Sequence, residues 1–289
     1  MVPQQLRIDV EPALSGAKMV LAFSGWMDGG DVSTGTVKRL VERLGAKPFA
    51  QIEPESFYIY SFPGAMEVTA MFRPHIVIRE GLIKAFEPPA NTFYYDQGRN
   101  LVFLVGKEPN LNWQSFGDCI FALASRIGVS EIFFVGSFGG AVPHTREPRL
   151  YVTVSDTHLR PIMQKCGVRL TNYEGPGSFT TFLMTQAEQR GCDMASVVAE
   201  IPGYLQGTNP LSIEAVTRKL AVILGLSIDL TELRGASNEW ESRVSEAVEK
   251  NPDLAKQVRK LEESYDDDLI GTPTDAPPDP PSADGTEPA

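Results

Sequence analysis

The chain has 289 residues, of which 42% are hydrophobic and 22% are charged, a composition typical of a globular protein with a sizeable core. Its formal net charge of −11 belongs mostly to the C-terminal end, since nine acidic residues and no basic ones follow Lys260, leaving 28 acidic and 26 basic residues before that point. The nearly neutral body argues against nucleic-acid and anionic-membrane partners. No run approaches the ~20 apolar residues of a membrane-spanning helix, and residues 1–9 lack a signal-peptide pattern, so we expect a cytoplasmic protein.

The first part of the chain alternates apolar runs and amphipathic segments. The run Lys18–Ser24 predicts a buried strand, and the periodic positions of Asp31–Leu44 predict a helix. Phe93–Asp96 and Asn100–Val105 are expected to form a hairpin. Between these elements we predict extended segments at Phe49–Glu53, Phe57–Tyr60 and His75–Arg79.

The second part continues the alternation. Strands are predicted at Glu131–Val135, Leu150–Val154, Arg169–Tyr173 and Ser196–Glu200. Helices are predicted at Asn112–Ile127, His158–Cys166, Ser178–Arg190 and Pro210–Leu224. This order indicates an α/β fold with a largely parallel central sheet flanked by helices. The aromatic, strand-rich stretch from Phe49 to Val105 is either an antiparallel extension of that sheet or a lid.

Three segments are expected: an α/β domain over residues 1–230, a helical appendage over 231–264 and a disordered acidic tail over 265–289. In the appendage, apolar residues recur every four positions on both sides of a break at Asn251–Pro252, which predicts two helices with one narrow apolar face. That face packs either on its own domain or on a partner. The tail is rich in proline and acidic residues and poor in large apolar ones, so it has little surface to bury.

Cysteine and histidine give no metal or disulfide signal. Cys119, Cys166 and Cys192 are odd in number and form no CxxC pair, so we expect neither a disulfide framework nor a zinc ribbon. The three histidines fall in separate elements without ligand spacing. No metal and no cofactor are predicted.

In parallel sheets, binding sites lie beyond the carboxyl ends of the strands, and the first such loop is rich in glycine. Gly25, Trp26, Asp28 and Gly30 follow the first predicted strand. One expectation is a polar pocket lined by Asp28 and backbone amides, with Trp26 as its wall. The alternative is a strand-to-helix turn in which Asp28 or Asp31 caps the next helix.

The second loop, Gly136–Gly140, follows the strand EIFFV. Ser137 is not expected to be a nucleophile, because Val135 stands where a nucleophile elbow requires glycine. Its three glycines are expected to bring backbone amides toward an anion or a neighbouring loop, and His144 and Arg146 to hold an acidic group. An ordinary surface loop is the alternative. The glycines concerned are Gly136, Gly139 and Gly140.

Two more loops complete the candidate ligand site. Gly177 and Ser178 open a predicted helix, where Ser178 is placed either to cap the helix or to help bind a phosphate. Glu200 ends a predicted strand, and Tyr204 follows a Pro-Gly turn that holds the carboxylate toward the rim of the sheet. Asp28 and Glu200 are the candidate acid and base of an enzyme. A cis bond before Pro202 is an open alternative.

These motifs in this order resemble the proteasome assembly chaperone two family. The resemblance rests on FSGWMDGG, VGSFGG, YEGPGSF and AEIPGY and covers roughly residues 15–225. It implies a fold similar to nucleoside phosphorylases and hydrolases, a tendency to form oligomers, and a role in building or binding proteasome rings. Some relatives dock through a C-terminal hydrophobic–Tyr–any tripeptide, and this chain departs from that pattern by ending Glu287–Pro288–Ala289. The composition suggests a bacterial, actinobacterial member.

Two functions follow. The first is an oligomeric, non-catalytic protein-binding or assembly protein, expected to form a homo-oligomer such as a trimeric ring and to bind a protein partner. The aromatic segment Phe57–Phe72 is expected either to form the interface between copies or to belong to a buried core. The second is a small-molecule enzyme of the phosphorylase or hydrolase type, with its site at the carboxyl edge of the sheet.

Overall fold

The computed structural model describes residues 3–270. The strands are β1 (Leu6–Ile8), β2 (Ala17–Ser24), β3 (Lys47–Ile52), β4 (His75–Arg79), β5 (Leu82–Glu87), β6 (Asn91–Asp96), β7 (Leu101–Lys107), β8 (Val129–Gly140), β9 (Arg149–Val154), β10 (Arg169–Leu170) and β11 (Asp193–Pro202). The helices are α1 (Val32–Leu44), α2 (Met66–Ala70), α3 (Trp113–Arg126), α4 (Leu159–Lys165), α5 (Phe179–Ala187), α6 (Pro210–Leu224), α7 (Thr231–Glu249) and α8 (Pro252–Ile270), with 3₁₀ turns at Gly29–Asp31 and Glu188–Arg190.

Nine strands form the central sheet in the order β1-β3-β6-β7-β2-β8-β11-β9-β10. The four in the middle, β7, β2, β8 and β11, are parallel. They are apolar along most of their length because both of their faces are covered. The α/β fold with a large sheet flanked by helices is therefore confirmed.

Antiparallel pairing dominates on either side of this centre. β6 and β7 form the predicted hairpin, and β3 and β1 extend it. On the other side β9 runs antiparallel to β11, and the short β10 pairs in parallel with β9. Parallel pairing is thus confined to the centre and to one short edge pair.

Helices cover the sheet on two faces, each with its own core. On one face, Phe116 of α3 and Phe179 of α5 pack edge to face at 5.3 Å between ring centroids, next to Phe23 of β2. On the other face, α1 and α6 pack against alternate residues of the same strands, including Val20 and Ala22. This alternation is the two-residue period of a strand buried on both sides.

The stretch from Phe49 to Val105 contains the predicted antiparallel extension, and the alternative of a lid stays a prediction. β6 belongs to the antiparallel extension, whereas β4 and β5 form a separate two-stranded sheet. We call residues 61–90, which include α2 and this ribbon, the arm. The sequence prediction included β4 but missed α2 and β5, although the two-residue turn Glu80–Gly81, with φ of 52° and 75°, is a hairpin turn of the primed type.

Several predicted boundaries were wrong because long-range partners decide them. Phe57–Tyr60 is a turn and a loop, since the Phe57 carbonyl accepts from the N–H groups of Asn110 and Leu111 instead of from a neighbouring strand. The strand predicted at Arg169–Tyr173 ends at Leu170. The segment Gly136–Gly140 is not a loop: it extends β8 and pairs in register with Val198–Pro202 of β11.

The two predicted C-terminal helices are α7 and α8, separated at Lys250–Asn251. The predicted start of a disordered tail at Tyr265 was wrong, since α8 continues to Ile270 and Tyr265 is buried. The Tyr265 hydroxyl donates to the Glu147 carbonyl at 3.0 Å. The remainder of that predicted tail, residues 271–289, lies outside the described residues, and the division of the chain at residue 230 stays a prediction.

Candidate functional site

The loop after β2 needs glycine at its first position. Gly25 has a φ of 138°, and a Cβ atom there would come within 3.1 Å of the Glu108 carboxylate. Both features explain why a side chain is excluded. The next residue, Trp26, is 67% exposed, so it does not close a pocket as a wall would.

Asp28 takes the capping role that the sequence left open. Its two carboxylate oxygens accept hydrogen bonds from the backbone N–H and the hydroxyl of Thr34, at 3.0 and 2.8 Å. Thr34 lies in the first turn of α1, where N–H groups lack partners within the helix. Burial raises the pKa of Asp28 to about 6, although the Thr34 hydrogen bonds oppose that shift. Asp28 therefore stabilises the start of a helix.

The Gly30 backbone meets the start of α6. Its carbonyl accepts from the Asn209 N–H at 2.8 Å, and a Cβ atom on Gly30 would lie 2.9 Å from the Asn209 Cβ. Gly30 has a φ of 63°, which also favours glycine. The glycine thus permits close packing of the first loop on α6.

Ser137 joins the first loop to β8. Its N–H donates to the Met27 carbonyl at 2.9 Å, and its hydroxyl donates to the Gly29 carbonyl at 2.6 Å. The side chain is fully buried. These bonds hold the loop on the sheet and leave the hydroxyl engaged.

The glycines of β8 serve close packing inside the sheet. A Cβ atom at Gly136 would lie 2.6 Å from the Phe134 ring, and one at Gly140 would lie 2.4 Å from the Glu200 side chain. At Gly139 the nearest atom would be the Gly203 Cα, at 3.3 Å. The expectation of a loop was therefore wrong, because these residues are in the ladder with β11, and the expected contact of their amides with an anion stays a prediction.

Glu200 is buried and paired within the protein. One carboxylate oxygen accepts the Ala141 N–H at 2.8 Å, and the other lies 3.4 Å from both an Arg149 nitrogen and the Tyr151 hydroxyl. Arg149 stands opposite Glu200 in the antiparallel register of β9 and β11. Glu200 thus acts as a structural carboxylate, and it does not face an open cleft as a catalytic base would.

Glu108, which follows β7, is the residue that sequence reasoning missed. One carboxylate oxygen accepts the Phe179 N–H at the start of α5, and the other accepts the Trp26 N–H, both at 3.0 Å. The helix start predicted as a phosphate site therefore holds an internal carboxylate, which suits the positive end of the helix dipole. The available signal was an acidic residue directly after an apolar strand.

Ser178 caps α5 as expected, since its hydroxyl accepts the Thr181 N–H at 3.2 Å. A Cβ atom at Gly177 would meet nothing within 4 Å. Helix capping thus explains Ser178, whereas packing gives no reason for a glycine at position 177.

Tyr204 connects the segment after β8 to α7. Its hydroxyl oxygen accepts the His144 backbone N–H at 2.8 Å and lies 2.7 Å from Nδ1 of the His144 ring, while Nε2 lies 3.1 Å from the Ser245 hydroxyl. Because the oxygen already accepts one hydrogen bond, we assign its proton to the bond with Nδ1, which places the ring proton on Nε2. Burial lowers the pKa of His144 and raises that of Tyr204 to about 12, consistent with a neutral imidazole.

The acidic group expected near Arg146 is part of this chain. The Arg146 guanidinium donates to both carboxylate oxygens of Asp266, at 2.9 and 2.7 Å. Arg149 stacks over the Tyr265 ring at 4.5 Å and pairs with Asp268 at 2.6 Å. The end of α8 is therefore held beside the Glu200 cluster.

The predicted site residues thus gather at one edge of the sheet, but internal contacts occupy the side chains that were to bind a ligand. One cavity of about 450 Å³ lies elsewhere, between the segment after β8, α6 and α7. A second, of about 440 Å³, lies beside α1. Arg146 lines the first cavity. The other candidate ligand residues line neither cavity, and the ligand site remains a prediction.

The same edge exposes apolar side chains. Trp26 and Phe138 are 67% and 40% exposed. The arm also leaves the sheet here, because its root residues Tyr58 and Asn91 are joined by a 2.8 Å hydrogen bond beside the end of β7. Contiguous patches of exposed apolar side chains often mark interaction surfaces, whereas single exposed apolar residues are common on any protein surface.

The described residues, 3–270, contain neither a cluster of metal ligands nor a membrane-spanning helix. No group of three or more histidine, cysteine or acidic side chains is arranged to hold a metal ion. Over the same residues, no helix is long and apolar enough to cross a membrane.

The fold is that of several solved structures. A Mycobacterium tuberculosis protein of unknown function is 23% identical with a TM-score of 0.80, over 93% of this chain and 91% of that one. A proteasome-assembly chaperone homologue from the same organism is 25% identical with a TM-score of 0.72, over 83% and 99%. An archaeal proteasome activator from Pyrococcus furiosus is 20% identical with a TM-score of 0.65, over 86% and 99%.

The family is shown by a match that covers most of the chain. A model of the PAC2 family matches residues 22–248, so the chain belongs to the PAC2 family. The resemblance to this family that the sequence motifs predicted is therefore confirmed. No curated protein matches the chain. The implied likeness to nucleoside phosphorylases and hydrolases stays a prediction.

Proposed function

We propose that this protein is a non-catalytic, assembly-chaperone-like protein that binds proteasome subunits through the carboxyl edge of its sheet. The observation that carries the proposal is a contrast at that edge. Asp28 and Glu200 are engaged by internal partners, whereas Trp26 and Phe138 are exposed to solvent. Exposed aromatic side chains supply binding energy at protein interfaces. Membership of the PAC2 family and the names of two structural neighbours support the same role.

The proposal includes a homo-oligomer, such as a trimeric ring, that acts in the cytoplasm. The arm supports self-association, since it projects from the edge with most of its apolar side chains exposed. The nearly neutral body adds no charge repulsion between copies.

Binding to a bacterial 20S proteasome and to its separated α subunits tests the function. We expect a complex in size-exclusion chromatography with light scattering, and at least ~10-fold weaker binding for Trp26→Ser. Val222→Ser is the matched control, because Val222 on α6 is similarly exposed, at 63%. Absence of a complex with the unmodified chain, or equal effects of the two variants, contradicts the proposal.

A further inference from the structure

The cavity between the segment after β8, α6 and α7 is lined mainly by polar side chains. Its volume of about 450 Å³ lies within the range of small-molecule sites. Its charged lining residues are three arginines and three glutamates, so the wall as a whole has no net charge. A wall of this kind is complementary to a ligand that bears both charges and no net charge. The six residues are Arg146, Glu147, Glu214, Arg218, Arg234 and Glu241.

A buried carboxylate in this wall orients two of the arginines. Glu214 is 7% exposed, and one of its oxygens accepts from Nε of Arg218 at 3.3 Å and from Nε of Arg234 at 3.4 Å. Arg218 also donates to the Glu147 carboxylate at 2.6 Å. The two terminal nitrogens of Arg234 make no hydrogen bond to any described residue. They are therefore available to bind an oxyanion through two parallel hydrogen bonds.

Ser237 adds a buried hydroxyl to the same wall. The residue is 7% exposed and lines the cavity, yet its hydroxyl makes no hydrogen bond within residues 3–270. A hydroxyl inside a helix can donate to the preceding turn, as Thr217 of α6 does to the Ile213 carbonyl at 2.6 Å. An unpaired buried hydroxyl costs free energy. The Ser237 hydroxyl is thus a second group available to a ligand, one helical turn from Arg234.

Glu241 supplies the opposite charge. Among the charged lining residues it alone forms no ion pair within the described part of the chain. It lies seven residues after Arg234 on the same face of α7, a rise of ~10 Å. One hydrogen bond of ~2.9 Å at each end leaves a short gap between the two charges of a ligand. An ammonium and a carboxylate that are separated by a short carbon chain suit that gap.

We propose that this cavity binds a small zwitterion of the amino-acid class. Its carboxylate accepts from Arg234 and Ser237, and its ammonium donates to Glu241. Neither Trp26 nor Phe138 lines the cavity, so the site goes beyond the proposed function and does not depend on it. Because side chains of both α6 and α7 line the cavity, an occupying ligand would stabilise the packing of these two helices.

A thermal-shift screen of the full chain with the twenty proteinogenic amino acids, followed by titration calorimetry, tests the site. We expect at least one amino acid to raise the melting temperature and to bind with a Kd below about 1 mM. Acetate and methylamine each carry only one of the two charges. They should therefore bind at least ~10-fold more weakly than that amino acid, since each loses one charge-assisted contact.

Three variants remove the groups that would hold the ligand. Arg234→Gln, Ser237→Ala and Glu241→Gln should each weaken binding of that amino acid by at least ~10-fold. Glu239→Gln is the matched control, because Glu239 is an exposed residue of α7 that does not line the cavity. Its affinity should equal that of the unmodified chain. Circular dichroism and melting temperature without ligand verify that each variant is folded.

Three results would overturn the inference: no amino acid binds the unmodified chain, acetate binds as tightly as the tightest amino acid, or the three cavity variants bind as tightly as Glu239→Gln. The proteasome-binding assay with Trp26→Ser is separate. Failure of either assay leaves the outcome of the other unchanged, because the two sites share no residue.

Discussion

The parallel centre of the sheet and the ribbon of the arm use the same kinds of residue in opposite surroundings. Ile132 in β8 is 1% exposed, whereas Ile83 in β5 is 67% exposed. The centre is covered by helices on both faces, and its polar groups at the carboxyl edge are paired with one another. The strands of the ribbon, β4 and β5, pair only with each other.

The comparison shows that a run of β-branched residues predicts a strand but does not predict which element covers the faces of that strand. In the centre, the chain supplies the cover through helices that lie between consecutive strands. In the arm, no helix of the described chain covers the exposed apolar side chains of the ribbon.

Glu200→Ala tests the paired interior of the edge. We expect the free energy of unfolding to fall by about 3–5 kcal/mol, because Arg149, whose side chain is only 10% exposed, would lose its buried partner. Urea denaturation measures the change. Glu174→Ala, in an exposed loop, is the control and should stay within about 0.5 kcal/mol. A similarly small loss for Glu200→Ala would return it to the candidates for a ligand-binding role.

Ile132→Ala compared with Ile83→Ala tests the contrast directly. The first should lower the free energy of unfolding by about 2–5 kcal/mol through the cavity it leaves. The second should change the stability of the separated monomer by less than about 0.5 kcal/mol, measured by urea denaturation at the lowest usable concentration. A large loss for Ile83→Ala in the monomer would show that the arm packs on its own chain.

Truncations test whether the end of α8 contributes to the thermal stability of the protein. Removal of residues 265–289 should lower the melting temperature by about 4–8 °C, since burial of a side chain such as Tyr265 is worth about 2 kcal/mol. Removal of 271–289 alone is the control and should leave it nearly unchanged. Equal melting temperatures for both truncations would instead support the predicted boundary at residue 265.

Gly140 and Gly177 both lie in glycine-rich motifs, but replacing each with alanine should change the stability of the protein by different amounts. Gly140→Ala should cost about 1–3 kcal/mol, because its Cβ atom would displace the Glu200 side chain. Gly177→Ala has open space and should be nearly neutral. Thermal unfolding in the same buffer compares them. Equal losses would mean that the close contact at Gly140 does not set the cost.

Asp28→Asn should change the free energy of unfolding least among these variants, and the change should depend on pH. The pKa of Asp28 is raised to about 6, so the folded state binds a proton more tightly than the unfolded state. The stability that comes from this tighter proton binding is therefore fully present below pH 3.8 and is lost as the pH rises through about 6.

Asparagine has no such titration and can still accept the Thr34 N–H. We expect the stability of the variant relative to the original chain to rise by about 1–2 kcal/mol between pH 4.5 and 7.5, measured by chemical denaturation at both values. A pH-independent difference would show that Asp28 titrates as it does in the unfolded chain.

The central elements were predictable from the sequence because their signals are local. The bounds predicted for α6, Pro210–Leu224, are those observed: Asn209 caps the helix by accepting the Ser212 N–H at 3.0 Å, Pro210 begins it, and Gly225 ends it with a φ of 68°. Proline and glycine restrict or permit backbone angles within a few residues. The apolar runs of β2 and β8 likewise reflect burial on two faces.

Only the tertiary structure decided what the edge residues contact. Glu108 reaches Phe179 across 71 positions of the chain, and Glu200 reaches Arg149 across 51. No local pattern distinguishes a carboxylate that awaits a ligand from one that accepts a distant N–H group. The strand character of Gly136–Gly140 and the exposure of the arm depend on partners in the same way, since pairing with β11 gives the first its structure and the absence of a covering helix leaves the second open. The sequence by itself therefore determined which segments form the central strands and helices, and the three-dimensional packing determined which of their side chains remain free to bind.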